Sequence, residues 1–302
     1  MIELTTEYKQ RVLEALFAAC ENYSGSNAKF ARKWGIDETV YSRLNKHGYQ
    51  DGLLSAGKYV EIGLALNVSP REKQWNIVRT EVFNIIEADV LFCKKYAKGK
   101  IFTDKCAIGK TCTGRYLART VPNCFYIDMR QIGNPTDFAK ALAKAIGADH
   151  RGRLSAVKER VKYYLKQMPD PIIYLDEGAK IDVKIVDEFI EYYNALDGYC
   201  GWYVTGTGSL KTKINNGIEQ RIGGYEEMFS RLSDCYSTAV PTDKKERQDF
   251  YRRLCGCVLE ANMSTPNRGK LNELVVKCLQ TEEDGEISGL RRAESLLILS
   301  EM

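Results

Sequence analysis

Apolar residues in the first 66 positions recur at three- and four-residue spacing, which predicts short helices rather than strands. Val12, Leu13, Leu16, Phe17 and Cys20 share one face of a helix over 8–22. Ser26 or Asn27 caps a second helix over 28–34, which Gly35 ends. Asp37 caps a third over 38–45, and a fourth runs from 53 to 66. A longer helix over 70–95 is expected next, with Val68-Ser69-Pro70 as a domain border. From residue 101 the pattern changes. Short apolar runs at 125–127, 172–175 and 202–205 alternate with helical stretches at 138–146, 155–167 and 183–196. That alternation predicts an α/β fold, a parallel sheet flanked by helices. Beyond Pro241 the pattern is helical only, at 243–260, 270–280 and 288–300. The expected layout is a helical module over 1–70, an α/β core over 71–240 and a helical subdomain over 241–302.

Composition narrows the setting. The 302 residues are 44% apolar and 28% charged, ordinary values for a globular protein with more than one unit. No apolar run approaches the ~20 residues that span a bilayer, and no secretory h-region opens the chain. A cytoplasmic protein without a membrane partner is expected. The ten cysteines are scattered without a C-x-x-C pair, and His47 and His150 lie far from any cysteine cluster, so neither zinc nor a disulfide framework is expected. A net charge of +4 permits nucleic-acid contact without demanding it.

The chemistry concentrates in the run Ile101 to Thr111. An extended segment leads through Asp104, Lys105, Cys106, Ala107 and Ile108 into Gly109-Lys110-Thr111-Cys112, with a helix directly after. This is the layout of a phosphate-binding loop. Backbone N–H groups and a helix N-terminus wrap nucleotide phosphates, Lys110 reaches the terminal oxygens, and Thr111 helps to hold Mg²⁺. The pattern asks for glycine where this chain has Asp104. About 65 residues downstream, Ile172-Ile-Tyr-Leu-Asp176-Glu177 reads as a buried strand delivering two carboxylates to the carboxyl edge of the sheet. Asp176 would hold Mg²⁺ and Glu177 would polarise the attacking water. ATP and Mg²⁺ are therefore the expected cofactors.

Three further positions complete the pattern. After the next strand, Thr205, with Thr207 as its competitor, would orient the water. Arg231, with Arg221 as its competitor, would reach a neighbouring subunit's γ-phosphate in an oligomer. Arg291, opening the last helix in Gly289-Leu-Arg291-Arg292, would fold back onto the nucleotide.

With these elements in this order, residues 75–302 resemble the AAA+ ATPases. Gly109-Lys110-Thr111 is similar to their Walker A motif, Asp176-Glu177 to Walker B, and Thr205 or Thr207 to sensor 1. Ser230-Arg231 resembles their arginine-finger motif and Gly289-Leu-Arg291 their sensor 2. Residues 31–44 resemble a repressor-type helix-turn-helix: Ala31 permits close crossing, Gly35 turns the chain, and Ile36, Val40 and Leu44 face inward. Thr39, Ser42, Arg43 and Lys46 would then face a major groove. Residues 1–75 hold ten Lys/Arg and nine Asp/Glu, a nearly neutral balance that also suits a protein-docking module.

A repressor-like module ahead of a compact AAA+ core resembles the transposition ATPases of the phage Mu (MuB-like), TnsC and IstB types. That resemblance implies an ATP-dependent homo-oligomer, a helical filament or ring, on double-stranded DNA with low sequence specificity. It also implies recruitment and activation of a DDE transposase. Two basic stretches would meet phosphates: Arg151 and Arg153, continuing to Lys158 and Arg160, and Lys211 with Lys213. The alternatives are a helicase-loader-like ATPase and a nucleotide-dependent transcription or defence switch.

Overall fold

The computed structural model describes residues 4–21, 23, 25–66, 68, 75–280 and 287–301. The chain divides into two units, one of Met1–Gln74 with Arg119–Pro122, the other of Trp75–Ala118 and Asn123–Met302.

The first unit is helical: α1 (Thr6–Glu21), α2 (Asn27–Lys33), α3 (Glu38–His47) and α4 (Ala56–Ala65). Side-chain caps set the starts. Ser26 Oγ accepts from Lys29 N–H, Asp37 from Thr39 and Val40, and Ser55 from Lys58. Gly35, at φ +60°, makes the turn between α2 and α3. Ala31, Ile36 and Leu44 are buried, Val40 is half-buried, and Tyr41 joins them inside against Phe30 at 5.6 Å between ring centroids.

The second unit opens with α5 (Glu81–Tyr96). The predicted helix over 70–95 begins on residues outside those described and is shorter than expected. Residues 75–80 are not helical: Asn76 N–H donates to Asn262 Oδ1 at 2.6 Å, its side chain donates to Ala261 O at 2.7 Å, and Thr80 caps the helix at Phe83. The polypeptide continues through β1 (Gly99–Thr103), α6 (Lys110–Thr120), β2 (Cys124–Asp128), α7 (Pro135–Ile146), α8 (Leu154–Gln167), β3 (Ile172–Asp176), α9 (Val183–Ala195) and β4 (Gly201–Gly206). Then come α10 (Gly208–Glu219), α11 (Tyr225–Arg231) and β5 (Tyr236–Ser237), and finally α12 (Lys244–Asn262), α13 (Leu271–Cys278) and α14 (Leu290–Glu301). Helix α10 is not among the helices expected from the sequence, which marked only Lys211 and Lys213 in this stretch. Leu210, Ile214 and Gly217 supply its buried face at helical spacing.

The five strands are parallel in the order β2-β3-β4-β1-β5, so the fold is the α/β sheet flanked by helices expected from the sequence. Alternate residues face opposite layers. Ile101, Ile127, Ile173, Leu175, Trp202 and Val204 pack with α7 to α11, where Phe189 meets Trp202 edge-on at 5.1 Å. Fully burying one such side chain stabilises by about 1.5–3 kcal/mol. On the other face Tyr126, Tyr174 and Tyr203 stand in register on three adjacent strands. A Cβ on Gly114 of α6 would lie 2.6 Å from the Tyr174 ring, so that glycine lets α6 settle onto the sheet. Among the described residues, no helix is long and apolar enough to cross a membrane.

Candidate nucleotide site

The carboxyl ends of β1, β3 and β4 bring the candidate residues together. β1 ends at Thr103, and the loop 104–109 turns directly into α6 at Lys110. Two positive φ angles shape it, Ala107 at +55° and Gly109 at +104°. Lys110 is buried, and its Nζ donates to the carbonyls of Asp104 at 3.0 Å and Lys105 at 2.5 Å. Burial pushes this ammonium below the usual lysine range, while Cys106, Asp104, Asp176 and Glu177 pull it back up. Ile108 is buried; Lys105 and Cys106 at the loop's crest and Cys112 in α6 are exposed.

Asp176 is the hub. Its Oδ2 accepts from Thr111 Oγ1 at 2.6 Å and Tyr126 OH at 2.8 Å, and its Oδ1 from Thr205 Oγ1 at 2.7 Å. The Glu177 N–H adds a fourth bond to Oδ1 at 3.0 Å. Thr205 is fully buried, whereas Thr207 sits at the start of α10 with its hydroxyl 2.6 Å from Ser209 Oγ. Glu177 is half-buried and holds a left-handed backbone, φ +57° and ψ +43°. A non-glycine residue there costs about 1–2 kcal/mol, and the cost places its side chain just past the strand.

The tyrosine row supports this edge from beneath. Tyr126 reaches Asp176, Tyr174 OH donates to Lys110 O at 3.2 Å, and Tyr203 OH donates to Asp89 Oδ2 at 3.3 Å. Burial and the neighbouring Asp176 carboxylate both raise the Tyr126 phenol, keeping it protonated as a donor. Sequence reasoning missed these residues, although Tyr126-Ile-Asp128, Tyr174-Leu-Asp176 and Tyr203-Val-Thr205 repeat one spacing.

The C-terminal helices close one side. Leu290 N–H donates to Ala107 O at 2.8 Å, and Gly289, at φ +64°, packs where a Cβ would stand 2.6 Å from that oxygen. Arg291 is therefore one residue from a loop contact and is exposed; Arg292 reaches Gln280 Oε1 at 3.3 Å. Asp104 is also buried, with its carboxylate taken up by backbone N–H groups.

Arg231 lies elsewhere. Its carbonyl abuts Gly99 at the amino end of β1, the edge opposite the loop. Its guanidinium pairs with Glu227 at 2.8 Å and donates to Asn194 at 2.8 Å. Arg221, at φ +53°, and Arg231 both line one cleft of about 570 Å³.

The candidate DNA residues fall in three places. Thr39, Arg43 and Lys46 are exposed on α3. Arg151 and Arg153 are exposed ahead of α8, but Arg160 is engaged with the Asp149 and Arg151 carbonyls, and Lys158 pairs with Glu188 at 2.8 Å and Glu191 at 2.6 Å. On α10, Lys211 lies over the Tyr236 ring at 5.3 Å, and Lys213 donates to Ala179 O at 3.1 Å.

With this geometry, the residues fit a nucleotide and its cation. A hydroxyl and a carboxylate oxygen 2.6 Å apart are the hard donors that Mg²⁺ takes alongside water and phosphate. The loop runs straight into the N-terminus of α6, where the Lys110 ammonium stands beside Asp104, Asp176 and Glu177.

No family model matches the chain, and no curated protein does. Among solved structures it is similar to the ORC1 protein of Aeropyrum pernix in complex with DNA, at 17% identity and a TM-score of 0.49. That match covers 71% of this chain and 59% of the other, so the chain spans less than two thirds of that protein.

Proposed function

We propose that this protein is an AAA+ ATPase that binds ATP and Mg²⁺ in the loop 104–112 and assembles on duplex DNA to recruit and activate a DDE transposase. The observation that carries the ATPase reading is the convergence of Thr111, Thr205 and Tyr126 on Asp176 beside Lys110. In this reading Lys110 leaves the Asp104 and Lys105 carbonyls for the β/γ oxygens of the nucleotide, and Thr111 and Asp176 hold the cation. Mg²⁺ supplies charge neutralisation for the transferred phosphoryl group. Glu177 accepts the proton of the attacking water, and Thr205 fixes the carboxylate network behind it. Arg231, or Arg221 in the same cleft, serves a neighbouring copy, and Arg291 approaches the nucleotide as α14 closes on the loop.

The DNA and transposase parts are supported by the order of modules. The exposed Thr39, Arg43 and Lys46 on α3, with Arg151, Arg153, Lys211 and Lys213 on the core, are the proposed phosphate contacts.

The test is electron microscopy of the protein with ATP, Mg²⁺ and random-sequence duplex DNA, read beside calorimetric ATP binding. Long assemblies are expected, and Lys110→Ala should abolish them and lower nucleotide affinity at least tenfold. Wild-type affinity in that variant overturns the phosphate-loop reading. Monomers alone on DNA overturn the assembly reading, and strong preference for one operator favours a transcriptional switch.

A further inference from the structure

Asp104 occupies the place where the phosphate-loop pattern has glycine, and its carboxylate accepts three backbone hydrogen bonds. Oδ2 accepts from the N–H groups of Ala239 at 2.6 Å and Val240 at 2.9 Å, and Oδ1 accepts from Lys105 N–H at 2.7 Å. Its own N–H donates to Gly206 O at 3.2 Å. The carboxylate is buried with the residue, at 8% exposure, so these N–H groups take the place of water. Charge-assisted bonds of this kind are roughly twice as strong as neutral ones.

The partners give the contact its meaning. β5 pairs with β1 only at Tyr236 and Ser237, so the chain leaves the sheet at once and runs through Ala239 and Val240 toward α12. Helices α12 and α13 follow, and the chain returns at Gly289-Leu290, where α14 opens and the Leu290 N–H meets Ala107 O. The loop is thus held at its first and fourth residues by the segment that leads into the C-terminal helices and by the start of the last of them. A glycine at 104 has no carboxylate and would leave only the second link.

We propose that Asp104 is a positioning residue that ties the entry of the phosphate loop to the segment leading into the C-terminal helices, so that loop conformation and helix placement change together. The tether itself stands on the geometry above; its response to nucleotide rests on the proposed ATP site.

Backbone amide hydrogen exchange on the full chain separates the two. Without nucleotide, Asp104→Gly should speed exchange at Ala239 and Val240 about tenfold or more, because both lose their acceptor, while Tyr174 and Val204 in the sheet ladder stay unchanged. With ATP and Mg²⁺, the wild type should slow exchange at both 239–240 and 289–293, and Asp104→Gly at 289–293 alone. Unchanged exchange at 239–240 in the glycine variant overturns the tether, and a nucleotide response there equal to wild type overturns the coupling. Asp104→Asn keeps one acceptor oxygen and should fall between; it carries the comparison if the glycine variant fails to fold, and wild-type exchange in it overturns the proposal. Absence of ATP binding by the wild type in calorimetry refutes the nucleotide reading and leaves the first comparison to decide the tether.

Discussion

The Thr205 hydroxyl donates to Asp176 Oδ1 at 2.7 Å from a side chain with no exposed surface. A buried threonine with that bond is held by the carboxylate as firmly as it holds it. Thr205→Val keeps the volume and removes the donor, leaving Oδ1 with the Glu177 N–H. Such a loss costs about 1–3 kcal/mol. The melting temperature should fall, and ATP hydrolysis should drop at least tenfold with a smaller change in nucleotide affinity. Thr205→Ser should recover most of both, and a valine variant with wild-type melting and turnover would sink this account.

Glu177 separates stability from chemistry. Its left-handed backbone suits glycine, so Glu177→Gly should raise stability by about 1 kcal/mol and remove the carboxylate proposed to polarise the water. Glu177→Gln keeps the strain and should bind ATP normally while slowing hydrolysis about a hundredfold. Thermal melts and single-turnover hydrolysis check the pair. A glycine variant that melts lower would show that the side chain contributes more than the backbone costs.

Lys110 sets a pH dependence. Burial lowers its pKa in the free protein, whereas phosphate oxygens favour the charged form. Nucleotide binding therefore takes up a proton once the free lysine begins to lose its own. Affinity should be flat while Lys110 is charged and decline as pH rises through its depressed pKa, below the ordinary lysine range. Calorimetry in buffers of different ionisation enthalpy would register the proton uptake. Affinity that climbs with pH over that range would contradict the assignment.

Much of this architecture was legible because local chemistry and tertiary role agree. The caps at Ser26 and Asp37, the turn at Gly35 and the apolar runs ahead of Asp176 and Thr205 each act where they stand in the chain. What stayed hidden was set by distant partners. Trp75 to Thr80 is kept out of a helix by the end of α12. Asp104 looked like a defect until its carboxylate met residues 135 and 136 positions away. Helix α10 was masked by a Thr-Gly-Thr-Gly run that reads as a turn, and Tyr41 by a polar hydroxyl on an otherwise inward ring.

The tyrosine row has a consequence for anyone altering this protein. Each ring fills a layer of the interior while its hydroxyl serves a separate address, the Asp176 carboxylate, the first turn of α6 or α5. Exchanging Tyr126 or Tyr203 for phenylalanine leaves the filled volume intact, and Asp176 keeps Thr111 as Asp89 keeps Lys100. Bulk and wiring can thus be edited independently at two points under the sheet, so the scaffold and its reactive edge need not fail together.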